Sequence, residues 1–124
     1  MGIELSMPFE KKAIGQLLSE LERTGAWKGC IITVQTTLPH RQAGRVSFNK
    51  LQISYFRHNA GRFEVALTPT KEGFLPAGME WFFWPGEQDE ADNEGLKKPI
   101  LSITVLETPG FWPRLKDFLR RIFR

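Results

Sequence analysis

The sequence predicts an α+β fold, in which a five-stranded antiparallel meander sheet is flanked by an N-terminal and a C-terminal helix. Three observations predict it. The middle of the chain holds successive runs rich in β-branched and aromatic residues, with apolar positions alternating along each run. The connections between these runs are too short to hold a crossover helix, so consecutive strands are expected to be antiparallel. Both ends of the chain carry apolar residues at helical spacing.

The N-terminal helix is predicted over residues 7–24. Ser6 is a suitable N-cap, and Gly25 is a suitable residue at which the helix ends. The apolar residues of this segment fall at i, i+3, i+4 and i+7 on one narrow stripe, namely Ile14, Leu17, Leu18 and Leu21. We therefore expect this helix to pack its stripe against the sheet.

The five strands are predicted near residues 30–37, 45–57, 62–68, 79–84 and 99–107. In the second strand the alternation changes phase by one residue at Asn49–Lys50, which predicts a β-bulge there. Beyond this bulge, Leu51, Ile53 and Tyr55 are expected to share one face of the strand. The pattern therefore predicts a long second strand that is irregular near its middle.

The fourth strand is unusually aromatic, with the sequence MEWFFWP. Alternation places Met79, Trp81 and Phe83 on one face, which suits the core, and Phe82 and Trp84 on the other face. That second face is either covered by a helix or forms an aromatic surface for a partner. Phe82 and Trp84 are therefore candidate partner-binding residues.

The segment GFWPRLKDFLRRIFR ends the sequence and predicts a helix over residues 111–122 with separate apolar and basic faces. The helix either packs its apolar face on the sheet or lies on an anionic membrane, with aromatic residues at the headgroups and arginines on the lipid phosphates. A groove on a protein partner and nucleic acid are further hypotheses. The candidate partner- or membrane-binding residues of this segment are Trp112, Arg114, Lys116, Arg120, Arg121, Phe123 and Arg124.

The charge of the chain is concentrated in this same segment. The formal net charge is +3, but residues 1–108 hold 12 Lys and Arg against 13 Asp and Glu, while residues 109–124 hold five against one. The basic pI of about 9.2 therefore originates at the C-terminal end. This distribution does not resemble a nucleic-acid-binding surface spread over the whole domain.

Length and composition predict one domain over residues 1–124, with 41% hydrophobic and 25% charged residues. The single cysteine, Cys30, excludes an intramolecular disulfide, and its apolar surroundings GCIITV predict a buried, unreactive thiol. The sequence contains no apolar run long enough to span a membrane and no secretory signal pattern, so a cytoplasmic location is expected. The N-terminal MGIELS fits the minimal myristoylation pattern, which leaves lipidation as an alternative.

No catalytic, cofactor-binding or metal-binding site is predicted. The sequence lacks a glycine-rich phosphate loop, and His40 and His58 are too far apart to form a ligand pair. The acidic segment 87–94 faintly resembles a calcium-binding loop, but Lys98 and Leu101 occupy two later ligand positions. We expect this segment to be a solvated hairpin tip. Weak metal binding, docking of a basic partner, and pairing with Arg57 and Arg62 are its alternatives.

These features predict a small, non-catalytic accessory or adaptor protein. It would bind a protein partner, with an anionic membrane surface as a second hypothesis, through the C-terminal helix and the aromatic strand. The alternative is a nucleic-acid-associated module that uses the arginine face of the C-terminal helix. A small enzyme, with chemistry built from scattered turn residues, is the second alternative.

Overall fold

The structure is a computed structural model that describes residues 8–37, 44–59, 62–84 and 98–108. Most of these residues lie in one β-sheet. The described residues form six strands, one α-helix and one short 3-10 helix. Their bounds are β1 Pro8–Glu10, α1 Lys12–Thr24, the 3-10 helix Ala26–Gly29, β2 Ile31–Thr37, β3 Arg45–Asn59, β4 Arg62–Pro69, β5 Trp81–Trp84 and β6 Ser102–Glu107. The strands lie in the order β1-β6-β2-β3-β4-β5, and all these neighbours pair antiparallel.

The predicted fold class, a five-stranded meander between two terminal helices, is wrong. Strands β2 to β5 are consecutive neighbours, but β6 pairs with β2 and β1 instead of β5. The physical reason is length: β5 has only four residues, whereas β2 offers seven along its free edge. The connection from β5 to β6 also covers residues 85–101, which is long enough for the chain to reach the free edge of β2. The predicted C-terminal helix over 111–122 lies outside the described residues.

The sheet curls so that β5 forms backbone hydrogen bonds with the chain just before β6. The Phe83 N–H donates to the Lys98 carbonyl at 3.1 Å, and the Ile100 N–H donates to the Phe83 carbonyl at 2.6 Å. One residue later, the Leu101 N–H donates to the Gln35 carbonyl of β2 at 2.8 Å. The chain just before β6 therefore joins β5 on one side, through a parallel bridge, and β2 on the other. As expected for a curled sheet, the rings of Phe48 in β3 and Phe82 in β5 meet across the interior, with centroids 6.1 Å apart.

The predicted start of the N-terminal helix is also wrong. Residues Pro8–Glu10 form β1, and the helix begins only at Lys12. Phe9 gains more by burial against β6, where it pairs with Ile103 and is fully buried, than it would at the exposed start of a helix. The predicted helix end is confirmed, because Gly25 adopts a left-handed conformation with φ 74°.

The predicted packing face of α1 is confirmed. The four apolar residues of its stripe are buried. They belong to one core cluster to which all six strands contribute, β1 through its central residue Phe9. Gly15 lies on the same face, beside Trp84 of β5. A side chain at position 15 would overlap the Trp84 ring, so glycine allows the helix to approach this end of β5 closely.

Strand β3 is long and contains two bulges. The predicted bulge at Asn49–Lys50 is confirmed, because Ile32 pairs with Leu51 and Val34 with Phe48, which leaves one extra residue in β3. Lys50 adopts a positive φ of 56° there. A second bulge lies at Ser54, since Ile53 pairs with Leu67 while Tyr55 pairs with Ala66. This second bulge was not predicted, and it reverses the faces of all later residues in β3.

Candidate functional site

The outer face of strands β3, β4 and β5 carries the most distinctive cluster of side chains in the described part of the chain. Two cross-strand rows form it: Tyr55, Ala66 and Trp81 in one, and Arg57, Glu64 and Phe83 in the next. The opposite, inner face of β4 belongs to the core through Phe63, Val65 and Leu67. We call these six outer residues the Tyr55–Trp81 patch.

Glu64 lies at the centre of the Tyr55–Trp81 patch and is paired with Arg57. Its Oε1 accepts hydrogen bonds from Arg57 Nε at 3.2 Å and Nη2 at 2.8 Å. The Glu64 side chain is only 7% exposed, whereas that of Arg57 is 53% exposed. A buried carboxylate requires such a partner because its desolvation is costly. The pair therefore fixes the guanidinium of Arg57 on the surface.

The ring of Trp81 also contacts Arg57. Its guanidinium carbon lies 4.3 Å from the centroid of the Trp81 ring, within the range of a cation–π interaction. The Tyr55 ring meets Trp81 edge-on, with centroids 6.4 Å apart and an interplanar angle of 83°. These two rings lean together over Ala66, which is buried beneath them. Tyr55 itself is 57% exposed, so the patch presents a fixed Arg, Trp and Tyr to solvent.

The two aromatic residues that the sequence indicated as partner-binding lie on the other face of β5. Phe82 is fully buried in the core, where it contacts Phe48. Trp84 is partly buried, packs against the core beside Gly15 and contacts Phe63. The structure thus places Trp81 and Phe83 outward, the reverse of the core face expected from the sequence. The seven candidate residues from Trp112 to Arg124 lie outside the described residues.

The sequence interpretation missed Tyr55, Arg57 and Glu64. It placed Tyr55 on the core face because it continued the alternation of Leu51 and Ile53 through Ser54. The available signal was the adjacent apolar pair Tyr55–Phe56, since only one of two neighbouring strand residues can face the core. Phe56 is the buried member.

In the described part of the chain, the side chains that most often take part in catalysis or metal binding lie apart from one another. Across 8–37, 44–59, 62–84 and 98–108, no three His, Cys, Asp or Glu side chains lie together in a way that could hold a metal ion. His58 belongs to β3, where its Nδ1 lies 3.4 Å from Glu22 Oε1 and its ring packs on Phe63. His40 and the acidic segment 87–94 lie outside the described residues. The geometry of the Tyr55–Trp81 patch is suited to binding.

Cys30 is buried, as predicted, and burial raises the pKa of its thiol from 9.0 to about 12. We expect a disulfide reagent at pH 8 to label the native protein far more slowly than the unfolded chain, because a shift of this size lowers the thiolate fraction about a thousand-fold. The absorbance of the released thiol, with and without guanidinium, measures both rates. Equal rates would show that Cys30 is accessible and ionisable in the native protein.

The same pKa shift predicts the sign of a stability change at high pH. The unfolded chain loses the Cys30 proton near its ordinary pKa of 9.0, whereas the folded protein retains it until about 12. The contribution of this thiol to stability is therefore complete below the lower value and is lost as pH rises through the higher one.

Comparisons with known proteins identify no relative of this chain. The chain matches no protein-family model, and neither a curated protein nor a solved structure is significantly similar to it. Among the residues that the structure describes, no helix has both the length and the apolar character needed to cross a membrane.

Proposed function

We propose that this chain is a non-catalytic, cytoplasmic accessory protein that binds a protein partner through the Tyr55–Trp81 patch. The observation that carries the proposal is the fixed, partly exposed cluster of Tyr55, Arg57 and Trp81. Tyr, Trp and Arg are the residues that most often dominate the binding energy of protein interfaces. Side chains already held in place lose little conformational entropy on binding, which raises affinity.

The charges of the patch support a protein partner over a polyanion. The positive charge of Arg57 is matched by Glu64 directly beside it. A lipid or nucleic-acid phosphate that approached Arg57 would also approach this carboxylate, which would reduce the attraction. A protein interface instead makes use of aromatic area and of a positioned guanidinium at the same place.

Affinity capture with the full chain tests this proposal. We expect Tyr55→Ser to lose the protein that the original chain retains from native lysate, with the melting temperature nearly unchanged because Tyr55 is exposed. Phe74→Ser is the matched control, since Phe74 is also an exposed aromatic residue, at 71%, but lies in the β4–β5 connection. Equal capture by the original chain, Tyr55→Ser and Phe74→Ser would contradict the proposal.

The basic segment 109–124 supplies a second, sequence-based part of the proposal, in which it binds the same partner or an anionic membrane next to it. Changing both Arg120 and Arg121 to Glu should abolish binding to vesicles containing phosphatidylserine, and added salt should weaken the binding of the original chain. Loss of RNA or DNA retention with a steep salt dependence would instead favour the nucleic-acid alternative. If the double change alters none of these, the basic face has no binding role.

A further inference from the structure

The chemistry of the Tyr55–Trp81 patch indicates which kind of polypeptide it fits. Its polar groups are rich in hydrogen-bond donors, namely the exposed guanidinium of Arg57, the exposed hydroxyl-bearing ring of Tyr55 and the indole N–H of the half-buried Trp81. Its one carboxylate, on Glu64, is 7% exposed and already accepts from Arg57. The rest of the surface is aromatic or aliphatic. A complementary ligand is therefore apolar, rich in acceptors and poor in donors.

The ligand should also be neutral where it contacts the patch. Arg57 and Glu64 are in direct contact, so their charges largely cancel for any group placed above both. A neutral carbonyl can accept from the outer N–H groups of Arg57 without repulsion by Glu64 of the kind that a carboxylate or phosphate would experience. Backbone carbonyls are the commonest neutral acceptors in proteins.

We propose that the Tyr55–Trp81 patch binds a proline-rich segment in the polyproline II conformation. Proline contributes an apolar ring and a carbonyl acceptor but no N–H donor, which matches the donors and the aromatic surface of the patch. Polyproline II segments are partly preformed and have solvated carbonyls, and aromatic-lined surfaces recognise them for these reasons. This inference rests on the proposed protein-binding function and adds the class of ligand.

The spacing of the patch is about 2 Å shorter than the repeat of such a ligand. The rows of Tyr55 and Arg57 are two residues apart along β3, which corresponds to roughly 7 Å. One turn of polyproline II has three residues and advances about 9 Å. A ligand inclined to β3 therefore places successive turns over the Tyr55–Trp81 row and the Arg57–Phe83 row. The perpendicular rings of Tyr55 and Trp81 offer a corner in which a proline ring can pack.

Selection from a displayed library of random peptides tests the inference without a known partner. The full chain is the target, and Tyr55→Ser is used for counter-selection. We expect the sequences that bind only the original chain to be enriched in proline at repeated spacing. Enriched sequences without proline, or no enrichment over Tyr55→Ser, would overturn the proline-rich ligand. The lysate capture described above would still decide whether the patch binds a protein at all.

A synthetic peptide of the most enriched sequence then locates the contact. It should shift the NMR signal of the Trp81 indole N–H, which is identified by its loss in Trp81→Phe. Replacing the prolines by alanine, or Arg57 by Gln, should weaken binding at least about ten-fold, while Phe74→Ser binds as the original chain does. Oligo-dT that shifts the same indole signal in place of the peptide would assign the patch to nucleic acid and overturn both proposals.

Discussion

Replacing Phe82 with alanine should lower the free energy of unfolding by about 3–5 kcal/mol, because it removes a large buried ring from a close-packed core. Phe82 is fully buried, and its ring meets Phe48 across the interior of the curled sheet. Few atoms nearby can fill the cavity, since backbone hydrogen bonds hold β5 to β4 on one side and to the segment 98–100 on the other. Chemical denaturation, followed by far-UV circular dichroism, measures the change.

Trp81→Ala is the matched control on the same strand. Its side chain lies on the outer face, so we expect a clearly smaller loss of stability, limited to its contacts with Arg57 and Tyr55. The same change should weaken binding at the Tyr55–Trp81 patch. If Trp81→Ala destabilised the protein more than Phe82→Ala, the assignment of the two faces of β5 would be reversed, and the patch with it.

The local features of the fold were predictable where residues next to each other in the chain determine them. The stripe of α1, its end at Gly25 and the bulge at Asn49–Lys50 each depend on a few neighbouring residues, and each is confirmed. Apolar periodicity and glycine conformation carry this information directly.

The topology was not predictable in the same way because it depends on distant pairings. No feature of the β6 sequence alone indicates that it pairs with β2 and not with the shorter β5. Phe9 is a similar case, since its burial beside Ile103 requires a strand from the other end of the domain. Consecutive strands are usually neighbours, as β2 to β5 are here, but a long connection allows the next strand to pair at another edge of the sheet.

The candidate site illustrates the same limit at a single residue. One bulge at Ser54 decides whether Tyr55 faces the core or solvent, and thereby whether it joins Arg57 and Trp81. Alternation on β5 separated the two faces but assigned the core to Trp81 and Phe83, whereas Phe82 is the residue that contacts the core. The Arg57–Glu64 pair then follows from the register of β3 with β4, in which Asn59 pairs with Arg62 next to the hairpin turn.

Gly15→Ala should destabilise the protein by about 1–2 kcal/mol, although alanine is the better helix former by up to about 1 kcal/mol. A Cβ at this position would lie 2.7 Å from Trp84 Cζ3 and 2.8 Å from Cζ2, and closer still to Cη2. The ring has little room to retreat because it also packs on Phe63. Either α1 or the end of β5 must therefore move. Thermal and chemical denaturation measure the loss.

Gln16→Ala controls for helix propensity, because Gln16 is exposed on the same helix and should change stability by no more than about 0.5 kcal/mol. A double-mutant cycle with Trp84→Phe identifies the cause. The smaller ring makes room for the new methyl group, so the loss caused by Gly15→Ala should largely disappear in the Trp84→Phe background. Equal losses in both backgrounds would mean that Trp84 does not pack on α1. Trp84 would then be available to a partner, as the sequence pattern first indicated.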